Sequence, residues 1–241
     1  MPGAFRQVFW RYCSQFLISS FLELKLRRFP LLKPPVPFAA RADDPLEEKT
    51  VSESILFDGK FVKLVRDEVT LPDGRSSQRL FLRHGGACCM AALDKDGTIL
   101  LERQWRHPLG QSFWELPAGK IDPDEEELDC AKRELLEECG VKANSWTRLG
   151  LINNAIGYSS EHIVIYLAED LTQEDQHLDE GEHLEVYRVP FDEAVRMALD
   201  GRITDVKTIC GIFWLKEHLK GRKSPGLSGA DLRGMIAAAH Q

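Results

Sequence analysis

The chain has 241 residues, 43% hydrophobic and 29% charged, enough to bury a sizeable core in one domain with at most a small appendage. A net charge of −7 argues against a general nucleic-acid binder. The six cysteines (Cys13, Cys88, Cys89, Cys130, Cys139, Cys210) show no C-x-x-C spacing, so no disulfide or zinc framework is expected, and a reducing, cytoplasmic setting is the default.

Residues 1–41 differ from the rest, with one acid, Glu23, against seven bases. The best apolar window, "VFWRYCSQFLISSFLEL", is interrupted by Arg11 and Gln15, so no membrane-spanning helix is expected. It also lacks the pattern of a signal peptide. Phe9, Cys13, Leu17, Phe21 and Leu24 recur near helical spacing, which suits an amphipathic helix. "RRFPLLKPPVPF" then breaks any helix, because its prolines fix φ and supply no N–H. Residues 1–45 therefore read as a loosely attached leader and linker. A membrane-surface or partner-binding helix and an organelle-targeting leader are the alternatives.

From Ser52 short strands take over. "ILFDGKFVKLVRDEVTLPDG" and "QRLFLRH" predict a small antiparallel sheet over residues 52–84, with turns at Asp58-Gly59 and Pro72-Asp73-Gly74. "ACCMAAL" and "TILLERQWR" flank Asp94-Lys95-Asp96-Gly97, which predicts a central hairpin. Further strands are expected at "TRLGLI", "HIVIYLA" and "LEVYRV". Two helices are expected to close the domain, Asp192 to Leu199 and Asp205 to about Leu219. The domain then spans 46–221, with 85–221 as its core and 222–241 as a tail without clear organisation.

Between the strands lies "GKIDPDEEELDCAKRELLEECGV", with nine carboxylates from Asp122 to Glu138 against Lys132 and Arg133. Either this is a solvated helix face, or bound cations relieve the repulsion. Asp122, Pro123 and Glu125 have the form of an N-cap, N1 and N3, and Gly140 suits the helix exit. Leu128, Ala131, Leu135 and Cys139 make an apolar stripe. Glu134 and Glu138 stack along its edge, at the border of core and solvent. Glu137 lies just beyond, four residues from Arg133. Such oxygen-rich sites suit Mg²⁺ or Mn²⁺. Gly119 permits close backbone approach, and a carbonyl beside it, that of Ala118, could add a neutral ligand. Arg106 is a candidate for contacting an anionic substrate. Trp105 and Trp114 read as core residues.

The run Gly119, Glu125, Arg133-Glu134-Leu135, Glu137-Glu138 and Gly140-Val141 matches the Nudix box at every specified position. From about Ser52 to Leu219 the chain resembles the ADP-ribose pyrophosphatase branch of that family. "VTLPDGR", "RQWRHP", "ELPAGKID", "GYSSEHIVIYLAEDL", "DEGEHLEV" and "GRITDVKT" follow in the family's order, while Ala155-Ile156-Gly157 replaces its usual Ser-Pro-Gly.

The resemblance implies an α/β fold, the Nudix α/β/α sandwich with a mixed sheet between helices. It also implies a small N-terminal sheet exchanged across a homodimer. The implied reaction is hydrolysis of a nucleoside diphosphate linked to another moiety, with ADP-ribose giving AMP and ribose 5-phosphate. A GDP-mannose-type pyrophosphatase and a non-cleaving ADP-ribose sensor are the alternatives. Glu134, Glu138 and Glu137, with the Ala118 carbonyl, would hold the metal. Arg133 would orient Glu137. A general base is expected on the loop "LDEGEHLE", where Glu182 is favoured over Glu180 beside Gly181. Glu161 could be structural or a further metal contact. Phe61 and Arg79 are candidates for holding adenine, although core packing is the favoured reading for Phe61.

Overall fold

The computed structural model describes residues 44–223. The expected leader helix lies outside the described residues, as does the tail from residue 224 onward. The chain divides between Glu47 and Glu48 into two units, and the elements below belong to the second.

Strands β1 (Lys49–Asp58), β2 (Val62–Thr70) and β3 (Ser76–His84) form an antiparallel three-stranded sheet with both expected turns. Only β2 buries side chains, with Val65, Asp67 and Val69 alternating on one face as the period of two demands. A second three-stranded sheet runs β10 (Leu184–Pro190), β5 (Thr98–Arg106), β6 (Gln111–Glu115). The third has the order β7 (Ala118–Lys120), β4 (Ala87–Ala92), β9 (His162–Gln173), β8 (Val141–Asn153). It is mixed, since β4 and β9 run parallel and the other pairs are antiparallel.

This last sheet is the middle of the sandwich, and the β4 and β9 alternation shows it. Cys89, Ala91, Ile165 and Leu167 pack towards Ala194, Val195 and Met197 of helix α2 (Phe191–Leu199) and Ile212 and Leu215 of helix α3 (Val206–Lys223). Cys88, Met90, Val164 and Tyr166 pack on the opposite face against Cys130, Ala131, Leu135 and Cys139 of helix α1 (Glu127–Cys139). Strands buried on both faces read as the continuous apolar runs "ACCMAA" and "HIVIYLA".

The expected central hairpin does not form. β4 and β5 enter different sheets and share only the isolated bridge Leu93–Ile99. The turn itself closes, with Asp94 N bonded to Thr98 O at 2.8 Å, but beyond it the strands part, β4 pairing with β7 and β9 and β5 with β6 and β10. The first two residues of the expected tail, Arg222 and Lys223, continue α3.

Candidate active site

Helix α1 starts later than its sequence suggests. Residues 122–125 close a turn, with Glu125 N bonded to Asp122 O at 3.1 Å and Asp124 at φ 63°. The N-cap is Glu126, which makes no side-chain cap bond. The reciprocal half of the expected capping box survives, because Glu125 Oε2 accepts from Asp122 N at 3.0 Å. At the other end Gly140 leaves the helix at φ 61°, as expected.

The buried stripe is also rotated from the expected one. Cys130 is fully buried under the β7 carbonyls, with its Sγ 3.3 Å from Lys120 O, and Leu128 is only partly buried. Positions 130, 131, 135, 138 and 139 therefore face inward. Glu138 is 4% exposed, so it sits inside the protein rather than at the solvent border. Its Oε2 accepts the Ala118 N–H at 2.9 Å. Burial pushes its carboxyl well above the usual range, and the neighbouring Glu102, Glu134 and Glu182 push the same way. Burial also raises Glu134, against the opposing pull of Arg133.

Gly119 explains how Glu134 fits. A Cβ at that position would lie 1.8 Å from the Glu134 carboxyl carbon, so the carboxylate occupies the space the missing side chain leaves. Arg133 organises the rest. It donates to Glu125 through Nε and Nη2, both at 2.8 Å, and to Glu134 and Glu137 through Nη1 at 2.8 and 3.1 Å. Its bond to Lys120 O at 3.1 Å ties the helix to β7. The guanidinium holds the Glu125 carboxyl down at about 2.

These groups open onto a cavity of about 680 Å³. Ala118, Gly119, Glu134, Glu138, Glu161 and Glu182 line it, as do Arg106 and Phe61. Glu180, Glu137 and Arg79 are not among its lining residues. Glu182 Oε1 accepts from Gln104 Nε2 at 3.3 Å, and Gly181 beside it adopts φ 84°. Glu161 is partly buried and accepts from Asn154 Nδ2 at 3.1 Å.

Of the three substrate candidates, Arg106 and Phe61 line the cavity and Arg79 does not. Phe61 is 60% exposed rather than packed in the core, because it lies in the β1–β2 turn; Lys120 Nζ stands 5.1 Å over its ring. Arg79 lies on β3 and pairs with Glu48 (Nε to Oε2, 2.8 Å), away from this chain's own cavity. Arg106 does reach the cavity, but two of its donors are engaged by Glu115 at 2.6 and 2.7 Å. The tryptophan expectation also needs correcting. Trp105 is mostly exposed, on the face of β5 opposite Gln104 and Arg106, and only Trp114 is partly buried, packing edge-on to Tyr187 at 4.9 Å.

Sequence reasoning missed the buried polar residues that frame the site. Glu115 and Lys207 line the cavity and are bonded to each other, and Lys207 reaches Asp205 at 3.1 Å. Burial pushes the Glu115 carboxyl up, but Arg106 and Lys207 outweigh it and hold the group below its usual value. Glu102 is 2% exposed and is raised to about 7, chiefly by burial. Its only sequence signal is one acid ending the apolar run "TILL".

A domain family model, NUDIX, matches residues 82–210. The chain belongs to the Nudix family. It is 36% identical over 182 residues to the ADP-ribose pyrophosphatase of Bacillus subtilis (strain 168), covering 74% of this chain and 98% of that protein. It is 35% identical over 181 residues to the ADP-ribose pyrophosphatase of Mycobacterium tuberculosis, covering 73% and 87%. The fold matches the crystal structure of an ADP compounds hydrolase with a TM-score of 0.65 at 23% identity, over 75% of this chain and 98% of the other. The chain is thus a Nudix pyrophosphohydrolase, of a family that works with a divalent metal, and its substrate is a small nucleotide. Among the described residues no helix is long and apolar enough to cross a membrane.

The donors present fit such an ion. Among the described residues no three Asp, Glu, His or Cys side chains converge into a closed metal cage. Mg²⁺ does not require one, since it usually keeps several waters and takes one or two carboxylates plus substrate phosphates. A deeply buried carboxylate flanked by three others, facing a nucleotide-sized cavity, is a site whose charge a divalent cation would balance.

Proposed function

We propose that the protein hydrolyses ADP-ribose to AMP and ribose 5-phosphate with Mg²⁺, which Mn²⁺ can replace. The observation that carries this is the buried Glu138 beside Glu134, both opening onto a cavity of about 680 Å³. The named activity of the two relatives supports the choice of substrate. Glu134 and Glu138, with the Ala118 carbonyl, are the ligands we assign at the cavity, and Glu137, outside its lining, is the outermost of the set. When bound, the ion neutralises the diphosphate and lowers the pKa of an attacking water.

The chain's own residues do the rest. Arg133 keeps Glu134 and Glu137 turned towards one another through a single nitrogen, so neither carboxylate wanders when substrate arrives. Glu182 takes the proton from water as the water oxygen bonds to phosphorus and the bridging P–O bond breaks. Gln104 holds it from one side, and Gly181 gives its loop a hinge. Arg106 faces the anionic substrate from the cavity wall while Glu115 fixes its orientation. Phe61 offers a ring at the cavity mouth for stacking the base.

Arg79 takes part only if the N-terminal sheet crosses to a partner. We assign such a homodimer because β1 is exposed along its whole length, leaving Val51, Ile55 and Phe57 in water. We place the enzyme in the cytoplasm, since the five cysteines among the described residues are all free.

A panel of ADP-ribose, GDP-mannose and related compounds with Mg²⁺, with products resolved chromatographically, tests the reading. ADP-ribose should give the highest kcat/KM, and Glu138→Gln should lower turnover at least about a hundredfold. Tight ADP-ribose binding without turnover would overturn it in favour of a sensor. A higher kcat/KM for GDP-mannose would overturn the substrate.

A further inference from the structure

One wall of the cavity comes from the start of α3, outside the Nudix box. Asp205 caps that helix, with its Oδ2 accepting from Thr208 N at 3.0 Å and from the Thr208 hydroxyl at 2.6 Å. With its O–H donated to Asp205, the hydroxyl oxygen is left as an acceptor, and it accepts the Leu116 N–H at 2.8 Å. Thr208 is completely buried, so water cannot substitute for either bond. The packing around Leu116 is equally close. Gly211, one turn along α3, has no side chain, and a Cβ there would lie 2.6 Å from Leu116 Cδ1.

Leu116 belongs to a short segment pinned at every residue. Glu115 is gripped by Arg106 and Lys207. Pro117 O accepts from Met90 N at 2.8 Å. Ala118 N donates to Glu138. The segment therefore connects the α3 terminus to the buried carboxylate over the three residues Leu116, Pro117 and Ala118. A loss of register at Leu116 has nowhere to be absorbed before Ala118.

We propose that Thr208 is a positioning residue for the hydrolytic centre. Its hydroxyl sets the height of Leu116 and thereby presents the Ala118 backbone to Glu138, so that α3 tunes the affinity of the site for its divalent ion. This rests on the assignment of Ala118 and Glu138 as metal ligands. The test compares Thr208→Val, which keeps the shape and removes the hydroxyl, with Thr208→Ser, which keeps the hydroxyl.

Direct Mn²⁺ titration of the full chain should show about a tenfold weaker Kd for the valine variant. The Mg²⁺ concentration for half-maximal activity should rise in parallel, with KM for ADP-ribose at saturating Mg²⁺ little changed. Serine should restore most of the metal affinity. All measurements are made below the onset of each variant's thermal melt. Wild-type Mn²⁺ affinity in Thr208→Val would overturn the proposal, and so would a serine variant as weak as the valine one, since the methyl rather than the hydroxyl would then matter. If the valine variant does not fold, Thr208→Ala removes the same hydroxyl without adding bulk and should also weaken Mn²⁺ binding; unchanged affinity there would overturn the idea. Glu138→Gln separates the two levels. If it binds Mn²⁺ normally, the ligand assignment has failed. If it loses Mn²⁺ while Thr208→Val does not, only the role of Thr208 has failed.

Discussion

Replacing Gly119 with alanine should separate stability from activity. The single added carbon would stand 1.8 Å from the Glu134 carboxyl carbon and 2.0 and 2.2 Å from its oxygens. Ordinary contact begins near 3.4 Å, so the carboxylate has to retreat by about 1.6 Å. That retreat is cheap for the fold, because the clash is with the end of a flexible side chain and not with backbone. Gly119 also lies outside the left-handed φ region, so alanine adds no backbone strain. Gly→Ala at a compatible position stabilises by roughly 0.4–1 kcal/mol through the unfolded chain, which offsets part of the side-chain rearrangement. The active site has no such latitude. A misplacement of about 1 Å can lower rate about a hundredfold, so kcat with Mg²⁺ should fall by about that factor or more. Thermal melts and steady-state ADP-ribose hydrolysis on the same preparation would show a melting temperature within a few degrees of wild type beside that loss. A variant retaining a third or more of wild-type kcat would refute the argument, because it would mean that Glu134 need not sit where the glycine lets it.

The other expectations concern the base, the buried acid and the domain limits. Glu182→Gln should depress kcat by about 10²–10⁴-fold with little effect on ADP-ribose binding, while Glu180→Gln should be near wild type; the reverse order would assign the base to Glu180. Glu102 keeps its proton in the folded protein up to about 7, whereas the unfolded carboxyl releases it near 4.5. Its contribution to stability is therefore full below the lower value and lost as pH rises through the higher one. Metal-free protein should melt at falling temperature across that window and Glu102→Gln should flatten the trend; parallel curves for the two proteins would refute it. Deleting residues 1–45 should preserve dimerisation and kcat/KM, whereas deleting through His84 should abolish both, as light scattering and kinetics would show. An inactive monomer from the shorter deletion would place the leader inside the fold.

What was legible in the sequence is what local spacing encodes. The Nudix box, the Arg133–Glu137 pair and the Gly140 exit all lie within one helix and its flanks, where 3.6 residues per turn decides which groups meet. The apolar runs "ACCMAA" and "HIVIYLA" likewise announced strands, and the packing showed them covered on both faces. The tertiary structure decided how far each group sits from water and which distant groups share a bond. Glu138 looks like a border residue on a helical wheel, and it is buried with β7 closing over that edge. β4 and β5 carry a hairpin turn between them, yet they part, β4 pairing with β7 and β9 and β5 with β6 and β10. Thr208 and Leu116 are 92 residues apart, as are Lys207 and Glu115, and no periodicity links such pairs. Their contacts exist only once α3 has packed against the sheets, because burial, which turns a hydroxyl or a carboxylate into a fixed partner, is a property of the packed layers and not of any segment.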